Sequence, residues 1–419
     1  MYSFRNLLKQ VHLYLFLFAL CEIAYGGMTQ QTIMPQVRKV VLVLGIVYSA
    51  FYFGRMPFYM RVMLASTAVL LLYLVGESLD RYGVWFESVN FTSQILYPVI
   101  AGGAFVACVW MGNVRMNVII GIIIALFCFN QLVLGRITEH HFNSEERSMT
   151  AAEAYYLVLP LIYSLNVYLL QGRVRFLYYA LALGIGILAS FHRTVWVTSL
   201  AAVVMNWFFI RTYIQIKASN ILTQLAPVLM CAILFICCLF YVKPELTDNL
   251  ISSFSDIQNA NNQGTGGWRS EQRDIYMSMV PEHPFLGWTY EGYDKGEVMA
   301  TAENEEWRAA KGTFIHSGYI YFLYNFGLVG LLLQYGFILI TLIQLHRIFD
   351  RQDAGQWALL IFICSSFVYA WSYQLPDFFW GFAGIAIYLI YQANLMARWR
   401  QHPLNMENVQ QPELEAEIA

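Results

Sequence analysis

The sequence predicts an all-α integral membrane protein with about twelve transmembrane helices and one long, helical extracytoplasmic loop. Hydrophobic residues make up 58% of the 419 positions and charged residues only 12%, too little charge to solvate a globular chain of this size. The apolar residues gather in runs of roughly 20 that admit Gly and Pro, the length a helix needs to cross a bilayer. None of the runs alternates with period two, as a strand of an outer-membrane barrel would, so the spans are helices.

Taken in order, the apolar runs fall at roughly 11–27, 39–54, 62–77, 93–111, 114–134, 151–170, 176–191, 194–210, 222–242, 313–345, 355–373 and 376–395. Arg5 and Lys9 precede the first run as they would in a secretory signal, but no small-x-small cleavage site closes it, so it reads as an uncleaved span. With the N-terminus in the cytoplasm, Arg55, Arg61, Arg115, Arg173, Arg175, Arg211, Lys217, Arg347, Arg351, Arg398 and Arg400 all fall on the inner side. Arg38 and Lys39 are the misfit. The resulting organisation is nine spans over 1–242, an extracytoplasmic loop at 243–312, three spans over 313–395 and a polar cytoplasmic tail at 396–419.

The long loop carries twelve acidic residues against six basic ones, so its summed field repels a dianion, and any phosphate recognition needs individually placed arginines. Within it, Gly264-Thr-Gly-Gly267 closes a disordered-looking stretch, and Trp268 to Val280 reads as a helix stopped by Pro281 and Pro284. Arg269, Arg273 and Tyr276 share one face of that helix. All seven cysteines lie in apolar runs, which argues against a disulfide framework or a CxxC metal site. A net charge of −2 gives no hint of nucleic acid.

A few ionisable residues stand where chemistry is possible. His316 opens the apolar run that follows the loop, with Tyr319 on its face, and an imidazole there can take a proton from a hydroxyl. Its alternative is an interfacial histidine bonded to a loop carbonyl. Arg193, in the short break Phe191-His-Arg-Thr, can present a planar fork of donors to phosphate, or snorkel to lipid headgroups. Arg269 and Arg273, four residues apart, can grip a diphosphate together, or pair with neighbours such as Asp274. Arg147, in the loop at 135–150, is a further candidate anion contact, whereas His140 and His141 beside it lack a third metal ligand at recognisable spacing. Glu77, Asp80, Arg81 and Glu87 read as a solvated face, and Trp268, Trp288, Tyr290, Tyr293 and Trp307 as sugar-stacking or interfacial aromatics. The chain contains no D-x-D pair, P-loop or dinucleotide fingerprint, so neither a metal nor a cofactor is expected.

The order of three landmarks resembles the O-antigen ligase and polymerase family of polytopic membrane glycosyltransferases. These are Arg193 at a short turn, Arg269 followed by His283-Pro284-Phe285-Leu286-Gly287, and His316-Ser317 followed by Tyr319 and Gly327-Leu-Val-Gly330. The resemblance covers roughly residues 150–345 and implies a GT-C-like fold in the bacterial inner membrane, with the active site on the periplasmic side. It further implies transfer of a glycan from an undecaprenyl-diphosphate donor to a hydroxyl, on lipid A-core or on a second lipid-linked glycan. His316 would be the general base, and Arg193, Arg269, Arg273 and Arg147 the diphosphate contacts, with Tyr319 and Tyr276 facing substrate. The competing class is a transporter or flippase of lipid-linked oligosaccharides. That reading expects ionisable residues at mid-membrane, and the centres of the apolar runs are nearly free of charge.

Overall fold

The computed structural model describes residues 34–112, 114–133, 149–190, 192–211, 264–296, 315–348 and 353–401, together with a few single positions. Among the described residues the secondary structure is helical throughout. The expected first span at 11–27, the span at 222–242, the His140–His141 loop with Arg147, Trp307 and the last residues of the tail lie outside that set.

The helices are α1 (Met34–Tyr52), α2 (Phe58–Tyr82), α3 (Val89–Met111), α4 (Met116–Cys128), α5 (Ala151–Tyr156), α6 (Val158–Gln171), α7 (Val174–Ala189) and α8 (Arg193–Ile210). They continue with α9 (Gly264–Met279), α10 (Thr289–Lys295), α11 (Gly318–Leu331), α12 (Phe337–Ile348), α13 (Ala354–Tyr369) and α14 (Asp377–Gln401). Six helical stretches among the described residues are long and apolar enough to cross a membrane: 58–82, 91–110, 151–171, 193–210, 318–348 and 377–397. Three further apolar helices, α4, α7 and α13, are shorter. The expected run 313–345 is not one smooth span, because it breaks at Gly327 and passes through a π-turn at Leu332–Gly336 before α12. A second π-turn, Phe129–Val133, ends α4. The loop helix begins at Gly264 rather than Trp268, since three glycines lower helix propensity without forbidding it. At the far end α14 runs on to Gln401, past residue 395.

The chain divides into two compact units. One takes Met1–Ile122, Ile275–Phe349 and Tyr373–Ala419; the other takes Ile123–Asp274 and Asp350–Ser372.

In the first unit α3 is the central helix, packed by α1, α2 and α14. Small residues permit the close approach: a Cβ on Gly384 of α14 would strike the Ala101 carbonyl of α3 and stand 2.7 Å from Ala104 Cβ. Pro98 lies inside α3 and has no N–H to give the carbonyl of Gln94, four residues back. Gln334, from the π-turn, supplies the missing donor through Nε2 at 3.3 Å. A side chain of the π-turn therefore answers the carbonyl that Pro98 leaves open.

In the second unit α6 packs on α7 and α13, and α8 on α13. Asn206 Nδ2 donates to Asn166 Oδ1 at 2.7 Å, a buried amide pair between α8 and α6. Tyr155 is stacked between Phe362 and Tyr369, with ring centroids 4.9 and 4.3 Å away, and donates its hydroxyl to the Phe362 carbonyl at 3.1 Å. Thr150 and Glu153 form a capping box that starts α5 just after Met149.

Candidate functional site

Gly327 adopts φ 60°, ψ −161°, which no helix continues through, so the backbone rungs across it must be remade. Tyr324 would ordinarily accept from the Leu328 N–H; its carbonyl instead accepts from the Trp288 N–H at 2.8 Å. The freed N–H groups of Leu328 and Val329 donate to the carbonyls of Pro284 and Phe285 at 2.9 and 3.1 Å. Thus His283-Pro-Phe-Leu-Gly287 and Gly327-Leu-Val-Gly330, two of the landmarks seen in the sequence, are hydrogen-bonding partners. The approach is close enough that a Cβ on Gly287 would lie 2.5 Å from the Gly327 nitrogen, and a Cβ on Gly327 would overlap the Phe285 carbonyl. Gly287 itself has φ 71° and donates to the His283 carbonyl at 3.0 Å.

The short helix α10 anchors the same segment on its other side. Thr289, at φ 46° the one non-glycine positive φ among the described residues, donates Oγ1 to Glu77 Oε1 at 2.9 Å. Glu77 also meets Arg81 at 3.1 Å, while Glu291 and Asp294 lie 3.9 and 4.0 Å from Arg81. Of the expected solvated face, Asp80, Arg81 and Glu87 are exposed, while half-buried Glu77 is a polar dock for α10. Trp288 and Tyr290 are buried rather than presented for stacking, with Phe91 5.2 Å from Tyr290 and Tyr324 6.2 Å from Trp288. Burial pushes the Tyr290 phenol above its ordinary range, so it remains protonated.

Above the break, His316 is partly buried immediately before α11, its ring 6.4 Å from that of Tyr373 and edge-on to it. Gln374 Nε2 donates to the Ile315 carbonyl at 3.1 Å and so fixes the backbone beside the imidazole. Tyr319 lies 4.4 Å from Tyr335 of the π-turn. Tyr276 is fully buried, edge-on to Tyr324 at 4.7 Å. All of these residues belong to the first unit.

The arginines belong to the second unit. On α9, Arg269 and Arg273 are partly buried on the face that also carries buried Gln272. Arg273 donates to Ser270 Oγ at 2.9 Å, meets exposed Asp274 at 3.5 Å and lies 5.5 Å from the centre of the Trp371 ring. Arg193 is the first residue of α8. Its backbone is held on both sides: the His192 ring bonds the Met149 carbonyl through Nε2 at 2.7 Å, and Trp196 Nε1 donates to the Ile187 carbonyl at 3.0 Å. Among the described residues no cluster of three His, Cys, Asp or Glu side chains has the arrangement of a metal site.

Residues 178–335 match the family model described as O-antigen ligase. The ligase match agrees with the resemblance carried by the three landmarks, and together with the apolar helices it supports a membrane protein of the O-antigen ligase and polymerase type. Arg193, Arg269, Arg273, Tyr276, His316 and Tyr319 all fall inside the ligase-matched region; Arg147 falls outside it. A search of curated proteins gave no match. What reading the sequence missed was the partnership of 283–287 with 327–330. A glycine that closes the pentapeptide 283–287 and another that opens the tetrapeptide 327–330 are its only signal in the sequence.

Proposed function

We propose that this protein is a membrane glycosyltransferase that moves a glycan from an undecaprenyl-diphosphate donor to an acceptor hydroxyl at the periplasmic face of the bacterial inner membrane. The observation that carries this reading is the ligase-family match over 178–335, which takes in the candidate base and three of the four candidate diphosphate-binding arginines. His316 acts as the general base. It removes the proton from the acceptor hydroxyl as that oxygen attacks the anomeric carbon and the carbon–oxygen bond to phosphate breaks. The diphosphate departs with the bonding electrons, and Arg193, Arg269 and Arg273 neutralise its charge, with Arg147 as a further contact. Direct displacement inverts the anomeric centre. Tyr319 completes the substrate-side positions, whereas Tyr276, expected beside it, is fully buried edge-on to Tyr324 and backs the segment from within. Because guanidinium groups supply the positive charge and the sequence lacks a D-x-D pair, the reaction proceeds without a metal.

The acceptor is either lipid A-core, as for a ligase, or a second lipid-linked glycan, as for a polymerase. Purified protein supplied with a lipid-linked repeat unit, with or without lipid A-core and with EDTA throughout, tests the whole reading. Product with lipid A-core marks a ligase, and chain growth without it marks a polymerase. Movement of intact lipid-linked glycan across the bilayer with no new glycosidic bond would replace this function with that of a flippase.

A further inference from the structure

The first unit encloses a small cavity lined by Gln94 and Tyr97 of α3, Gln334 and Tyr335 of the π-turn, Gln374, and Trp380 of α14. It has room for about one water-sized group. In its wall, Gln334 Oε1 and Trp380 Nε1 have no hydrogen-bond partner among the described residues, and both residues are at 1% exposure. The Gln334 amide is not free to turn, because its Nε2 is engaged by the Gln94 carbonyl that Pro98 left open. The carbonyl oxygen at the opposite corner of that amide therefore has a set direction.

An indole N–H only donates and an amide oxygen only accepts. A phosphate or ionised carboxylate can answer the first but not the second, and an ammonium can answer the second but not the first. A hydroxyl answers both, accepting from Trp380 and donating to Gln334. No acidic or basic side chain lines the cavity, so its ligand is uncharged. Two of its wall residues also connect to the segment around His316: Gln374 donates to the Ile315 carbonyl, and Tyr335 lies against Tyr319.

We propose that this cavity binds a single uncharged hydroxyl group, held between Trp380 Nε1 and Gln334 Oε1. Its source is an internal water or one hydroxyl of the glycan, and only the second alternative rests on the glycosyl-transfer reading.

The test uses the full chain in lipid nanodiscs with isotope-labelled tryptophan, read by water-edited solid-state NMR. The Trp380 indole signal is assigned by its loss in Trp380→Phe and, independently, by its shift in Gln334→Leu. The expected result is rapid magnetisation exchange between the Trp380 N–H and water, diminished in Gln334→Leu. Addition of a polyprenyl-diphosphate-linked glycan then separates the sources. Loss of the exchange with a shift of the indole signal assigns the site to a sugar hydroxyl, and persistence assigns it to a resident water. An indole that neither exchanges with water nor shifts when glycan is added overturns the proposal. The water measurement needs no transfer activity, so failure of the enzymatic reading leaves it intact.

Discussion

At the scale of single residues, the proposed chemistry asks for one base and for guanidinium groups whose geometry, not only whose charge, matters. His316→Ala is expected to lower glycan transfer by roughly a hundred- to ten-thousandfold, the usual contribution of a general base. Expression and membrane insertion should persist, and an unchanged rate in the reconstituted assay would remove His316 from the reaction. Arg269→Lys keeps the charge and loses the planar fork, so transfer should fall by roughly a hundredfold if the arginine stabilises the leaving diphosphate. Full activity in that variant would reduce Arg269 to a surface contact. Arg273 offers a useful contrast, because it is already engaged with Ser270, Asp274 and Trp371. These residues were legible in the sequence because a charged group at the edge of an apolar run is conspicuous. Gln334 and Trp380 were not, since neither carries charge and their relation depends on Pro98, far away in the chain.

At the scale of elements, the break at Gly327 and the segment 283–287 form one construction. Gly327→Ala must hold an alanine at positive φ and also push the Phe285 carbonyl away. The combined strain and overpacking should cost roughly 2–5 kcal/mol. Thermal unfolding in detergent should show a clear drop in midpoint, while an unshifted midpoint would mean that the segment does not hold the break. Gly287→Ala should behave similarly, because its Cβ meets the same backbone from the other side. Hydrophobic periodicity found the helices on either side but not this joint. A Gly-aliphatic-aliphatic-Gly run in apolar sequence looks like ordinary membrane helix, and the carbonyls that replace its missing rungs lie about 40 residues earlier. The loop helix shows the opposite case, since the prolines marked its end well and the glycines obscured its start.

For the molecule as a whole, the apolar runs located the described helices closely but did not fix the number of crossings. Length alone separates the six long helices from α4, α7 and α13, which a count of hydrophobic runs treats alike. The proposed periplasmic placement of the segment 264–296 makes a direct prediction. Single cysteines at Met277 and Phe285, both exposed, should react with a membrane-impermeant thiol reagent added to the periplasmic side of a variant whose native cysteines are replaced. Labelling only after the cytoplasmic side is opened would invert the topology and displace the proposed site. The backbone splice at Gly327 also constrains how this sequence can be recombined. A chimera that imports residues 283–287 from a relative without also importing 324–330 would bring together halves shaped for different counterparts. The two stretches should be inherited, and transplanted, as a single cassette.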